Sequence, residues 1–180
     1  MEQEHASSIV KPVRVPWNKG KLVGAKPPLR PSHVWSIRTK LQIVGKKRDL
    51  ALFNLAIDSK LRGCDLVHLR VEDVMQADQV RTRALVSQRK TGAPVQFEIT
   101  EQARAAIAAW VRGKDLKASD WLFPSRVDRA HPMTTRQYGR LVDEWIAAIG
   151  LVPSAYGTHS LRRTKAALIY RKTGNIRAVQ

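Results

Sequence analysis

Residues 157–175 read GTHSLRRTKAALIYRKTGN, with a histidine and an arginine three positions apart in a stretch of helical spacing. At roughly 100° per residue, His159, Arg162, Arg163, Ala166 and Tyr170 share one face, and Leu161, Thr164 and Leu168 lie on the other. The histidine and arginine can therefore aim together at one ligand while the back of the helix packs into a domain. An arginine fork matches two phosphate oxygens, and a histidine can donate or shuttle a proton near neutral pH. Thr158 reads as the cap of this helix and Gly174 as the break near its end. The free N–H groups of a helix start also favour an anion there. By itself H-x-x-R marks many solvated basic helices, so the rest of the chain has to decide.

Bulk composition narrows the partners. A chain of 180 residues is long enough to close one real core. Lys and Arg outnumber Asp and Glu by 32 to 15, giving +17 and a pI near 10.8. Such an excess suits nucleic acid, because each phosphate neutralised releases condensed counterions. A membrane partner is disfavoured by the lack of a long apolar run, a secretory signal or a lipidation motif. The single cysteine, Cys64, allows no intramolecular disulfide and fits a reducing, cytoplasmic location. The five histidines are scattered, so neither a metal nor a small-molecule cofactor is expected.

Residues 1–31 are rich in Pro, Gly and Lys without a helical or strand period, and read as a basic N-terminal tail. A solvated leader is the plain interpretation. The alternative is a strap lying on the domain through Val15 and Trp17, or following a DNA backbone with Lys19 and Lys21. From Ser32 to residue 180 the chain reads as one domain. Ser32 caps a helix through Val34, Trp35, Ile37, Leu41 and Val44, broken at Gly45. KKRDLALFNLAIDSKL (46–61) places Leu50, Phe53, Ile57 and Leu61 on an apolar stripe. That helix is expected to stop at Arg62-Gly63, after which Asp65 caps a short third helix. LRVEDVM, RALVSQRK and APVQFEIT read as three strands of one antiparallel sheet, the last two joined at Thr91-Gly92. Thr100 caps the helix EQARAAIAAWVRG, with Ala103, Ala106, Ile107, Trp110 and Val111 inward. Thr134 and Gln137 make a capping box for the next helix. The expected class is α+β, mostly helical with a small three-stranded sheet.

Three stretches taken together carry more than any one. KLRGCDLVHLRVEDV (60–74), VSQRKTGAPVQFEIT (86–100) and GTHSLRRTKAALIYRKTG (157–174) resemble, in order and spacing, the catalytic domain of the tyrosine recombinase (phage integrase) family. The resemblance implies catalytic roles for Arg62, Lys90, His159 and Arg162, with Asp65 supporting Arg62. Arg89, which alternation puts on the opposite strand face from Lys90, would flank the site with Arg163 and Lys165 as DNA contacts. In that family a tyrosine attacks a DNA phosphodiester, a 3′-phosphotyrosyl link forms, and a 5′-hydroxyl reverses the step. No metal or nucleotide is consumed. The resemblance thus implies a double-stranded DNA partner and self-association on DNA.

Two departures shape the functional expectation. The family's site is completed downstream of H-x-x-R by a second His or Trp and then the nucleophilic Tyr, whereas this sequence ends at NIRAVQ. Tyr138 and Tyr156 precede the motif and Tyr170 lies two turns after Arg162, so no nucleophile is assigned within these residues. The sequence is expected to be cut before that segment, and to bind DNA without cleaving it. Residues 1–31 are also too short for the core-binding domain of most recombinases. Two other readings stand beside the recombinase. One is a non-catalytic DNA-binding or regulatory protein keeping the fold, and the other is a type IB topoisomerase-like enzyme.

Overall fold

A computed structural model describes residues 24–175 and 177. Val15, Trp17, Lys19 and Lys21, named above as a strap, lie outside them. The elements run α1 (Pro31–Ile43), α2 (Lys47–Ser59), α3 (Gly63–Val67), α4 (Val71–Val74), β1 (Met75–Gln76), β2 (Gln79–Val80), β3 (Arg83–Ser87), β4 (Pro94–Glu98), α5 (Glu101–Lys114), α6 (Thr135–Ala148) and α7 (Thr158–Thr173). Among the described residues no helix is long and apolar enough to cross a membrane.

α2 is the axis of the domain. The sequence marks one apolar stripe, but Ala51, Leu52, Phe53, Leu55, Ala56 and Ile57 are all buried, because α1, α5 and α7 pack around it. A helix apolar on all sides belongs in the centre of a core. Asn54 and Asp58, one turn apart on that helix, are buried with the rest. Asp58 Oδ2 accepts from the backbone N–H of Thr100 at 2.9 Å and from its hydroxyl at 2.7 Å. Arg38 on α1 donates to Asn54 at 2.7 Å. Burial lowers the Arg38 pKa, and the nearby Asp58 charge works against that shift.

The mostly helical class holds, and the sheet differs from expectation. Two separate antiparallel ribbons form, β1 with β2 and β3 with β4. In the second, Arg83 faces Glu98 and Ser87 faces Pro94. The segment VEDV, read as strand from its β-branched residues, is instead the single turn α4. Asp73 accepts the Arg70 N–H at 2.7 Å, while Val71 and Glu72 donate to the carbonyls of Asp120 and Ala118, each at 3.0 Å. Long-range bonds to the 118–121 segment win over local propensity. Val71 and Val74, three apart, are both buried, as one helical turn requires.

Helix ends show which signals were sufficient. Thr100 caps α5 by accepting the Ala103 N–H, and Thr134 with Gln137 forms the capping box of α6. Elsewhere the cap moves. α1 begins at Pro31, with Ser32 inside its first turn, and α7 begins at Thr158 with Gly157 as the N-cap. α2 stops at Ser59, and Lys60 rather than Gly63 takes the left-handed position, at φ 54°. Gly63 opens α3 for a different reason. A β-carbon there would stand 3.3 Å from the Tyr138 ring of α6.

Packing begins ahead of Ser32. Leu29 is buried at 2% exposure, and its N–H donates to the Thr164 hydroxyl on α7 at 3.0 Å. Burying a leucine side chain is worth about 1.5–3 kcal/mol. That burial holds the chain before α1 across the start of α7.

Candidate active site

The left-handed residue at the end of α2 aims the Lys60 carbonyl at α7, where Arg162 Nε donates to it at 2.9 Å. Two residues further, Arg62 stands at the N-cap of α3 and turns its guanidinium the other way, to the amide oxygen of Gln88 on the β3–β4 loop. Arg62 and Arg162 are thus fastened on either side of one three-residue segment, Lys60-Leu61-Arg62. Both are half-buried.

The loop that carries Lys90 is tied to the same segment a second time. Asp65 is buried at 4% exposure, and its Oδ1 accepts the backbone N–H of Arg89 at 2.9 Å. Its other oxygen has no partner. As the third residue of α3 it does not act as the cap expected from sequence. What it fastens is the loop, while the guanidinium of Arg62 goes to Gln88. The connection is six residues long, Gln88–Ala93. Gln88 N–H donates to the Ala93 carbonyl at 2.9 Å, and Gly92, at φ 68°, donates back to Gln88 at 2.7 Å. β3 ends at Ser87, so strand alternation does not separate Arg89 from Lys90. Both are exposed on the loop.

On α7, His159 lies in the first turn and is exposed, one turn ahead of Arg162 on the same face. Leu161 and Thr164 are buried behind it, as the helical wheel requires, while Leu168 is half-buried. The flanking cations diverge from expectation. Arg163 donates at 3.1 Å to the carbonyl of Lys26, and the Lys26 amine reaches the Tyr156 carbonyl. Lys165 turns inward, with its amine 3.3 Å from the Asp58 carbonyl and 3.8 Å from its carboxylate. Its charge is taken up inside the domain. Arg162 is bonded at the α2–α3 junction and Arg62 to the β3–β4 loop, Lys90 follows Arg89 in that loop, and His159 stands one turn ahead of Arg162, while Arg163 and Lys165 fasten α7.

Sequence reasoning missed Gln88, Asp58 and Thr164. A signal existed for Asp58, because Asn54 and Asp58 interrupt an apolar run at i, i+4, and polar groups so placed must find partners. Nothing in the sequence distinguishes Gln88 from any other polar strand residue. Tyr138 is also accounted for. It is buried beneath Gly63, and burial raises its pKa, so its hydroxyl stays protonated in the core. Among the described residues no three His, Cys, Asp or Glu side chains are grouped to hold a metal.

The profile of the phage integrase family matches residues 29–180. The chain belongs to the phage integrase family. The match starts at the buried Leu29. A relative from Bacillus subtilis (strain 168), described as "Probable integrase/recombinase YoeC", is 34% identical over 134 residues, which is 74% of this chain and 69% of that protein. The fold of this integrase-family chain is that of XerA recombinase, with a TM-score of 0.71 over 93% of the chain at 19% identity. Lambda integrase residues 75–356, solved bound to DNA, match with a TM-score of 0.62 over 87% of the chain at 15% identity. The chain spans 58% of the XerA chain and 55% of the lambda integrase chain.

Proposed function

We propose that this chain is the DNA-binding catalytic domain of a site-specific tyrosine recombinase, working in the cytoplasm on double-stranded DNA and self-associating there. Arg62 and Arg162 grip the nonbridging oxygens of one phosphodiester. They stabilise the charge gained in the transition state. Lys90 donates a proton to the leaving 5′-oxygen, and His159 bonds the phosphate or assists the proton of the attacking hydroxyl. The observation that carries this reading is the fastening of Arg162 to the carbonyl two residues before Arg62. A guanidinium tied to the segment that carries the other arginine supports a grip on one shared phosphate.

The nucleophile has to come from a tyrosine outside these residues. Tyr138 is buried, and Tyr170 stands about 12 Å along α7 from Arg162 by helix rise. Tyr156 has its ring edge-on to His33 at 6.2 Å. Lambda integrase has been solved as a dimer bound to a core site, and YoeC carries the integrase/recombinase description. Both support the reading.

The test begins with selection of bound duplexes from a random-sequence pool, which yields the site. The logarithm of the affinity should then fall linearly with the logarithm of salt, as phosphate contacts require. On a nicked suicide duplex of that site, these residues alone should form no covalent adduct. They should form one when a tyrosine-bearing downstream segment is joined to them. Loss of binding in low salt would overturn the DNA assignment, and an adduct from the chain alone would overturn the placement of the nucleophile. Binding that never leads to an adduct, even with the added segment, would favour the non-catalytic reading.

A further inference from the structure

Gln88 lies two residues before Lys90 and has no role in the chemistry above, yet more bonds converge on it than on any other loop residue near the site. Its amide oxygen accepts from the Arg62 guanidinium and from the Thr91 hydroxyl, the latter at 3.0 Å. Its own N–H and carbonyl close the loop through Ala93 and Gly92. One side-chain atom therefore joins the first catalytic arginine to the residue that follows the proposed proton donor. Arg62 is 26 positions away in sequence.

We propose that Gln88 is a positioning residue that holds the Lys90 loop in register with Arg62, so that both meet the same phosphodiester. The inference rests on the roles given above to Arg62 and Lys90. A guanidinium has five N–H donors, so the one spent on Gln88 leaves a complete fork for phosphate. The neutral amide matters. A carboxylate at the same point would make a charge-assisted pair with Arg62 and compete with the phosphate for it. An apolar side chain would release both Arg62 and Thr91. The loop would then hang from the Asp65 bond to Arg89 alone.

The experiment uses the chain as it stands and reads the amide hydrogen exchange of Gln88, Arg89 and Gly92 by NMR, beside duplex affinity. Gln88→Leu should speed exchange of Arg89 and Gly92 at least tenfold while exchange in α2 stays within twofold. Arg62→Ala should also speed the same loop amides, and the double variant should stay within twofold of Gln88→Leu, because the Arg62–Gln88 bond is already lost there. Gln88→Glu should restore loop protection, since it keeps the acceptor, yet weaken duplex binding at least fivefold by holding Arg62. Unchanged loop exchange in Gln88→Leu, or simple multiplication of the two single effects, would overturn the tie. Full affinity in Gln88→Glu would overturn the requirement for a neutral group. If instead Arg62→Ala frees the loop but leaves duplex affinity untouched, the tie stands and the function assigned to Arg62 fails.

Discussion

The two ends of α2 are both crowded with positive charge and differ in how that charge is held. At its start Lys46, Lys47, Lys114, Arg126 and Arg129 line a cavity of about 540 Å³. Among the described residues the side chains of these five have no hydrogen-bond or ion-pair partner, whereas Arg48 beside them pairs with Asp49 at 2.8 Å. At the other end, about 20 Å away by helix rise, Arg162 is fastened to Lys60, Arg62 to Gln88 and Lys165 to Asp58. Cation density is the same kind of signal at both ends, so it does not locate chemistry. A free lysine or arginine loses up to about 2 kcal/mol of rotamer freedom when it grips a ligand. A side chain already fastened has lost part of that in folding, and its head is aimed before the phosphate arrives. On the proposed reading the two arginines are held in advance, while the cations around the cavity are not.

Substitutions at each end put the contrast to the test. Asp58→Ala should be the most damaging to the fold. It strands the Thr100 N–H and the Lys165 amine in a buried setting, a loss of about 3 kcal/mol. By the usual scaling for a domain of this size the melting midpoint should drop by roughly 6–12 °C in a calorimetric scan. Arg162→Ala should lower duplex affinity about tenfold or more, the scale of a lost charge-assisted bond, when measured by fluorescence anisotropy at fixed salt. The paired change Lys47→Ala with Lys114→Ala should move that affinity by no more than about twofold, since mobile surface cations contribute little. If the pair costs as much as Arg162→Ala, the distinction between held and loose charge is broken.

The smallest effect concerns the 125–131 loop beside the same cavity. The Ala130 N–H, and after it His131, hold the Asp128 pKa below its ordinary value. A depressed carboxylate stabilises the loop at all pH above its unfolded value, about 3.9. That contribution fades as the pH falls through the lower folded value. Loop chemical shifts should therefore titrate below the ordinary aspartate range, and Asp128→Asn should abolish the transition while leaving affinity at the other end unchanged.

How much of this could be read beforehand varied with the range of the interactions involved. The helices and the capping residues Thr100 and Thr134 follow from local patterns, and the motif spacing sets Arg62 at the start of α3 and His159 with Arg162 on α7. The failures share one cause. VEDV turned helical because Asp120 and Ala118 supply carbonyls some 50 residues away. The inward turn of Lys165 has no local signature either, because Asp58 lies 107 positions away. Asp65 looked like a cap because its distant partner, the Arg89 N–H, has no local signature. Gln88 was passed over for the same reason.

One detail of α2 has a consequence for how such a domain can change. A lysine in left-handed geometry costs roughly 1–2 kcal/mol that glycine would not, so Lys60→Gly is the sort of replacement a search for heat resistance would favour. The same replacement slackens the peptide unit from which Arg162 hangs. Durability and catalytic aim therefore pull this one backbone position in opposite directions, and a hardier variant that accepts the glycine is expected to be a blunter tool.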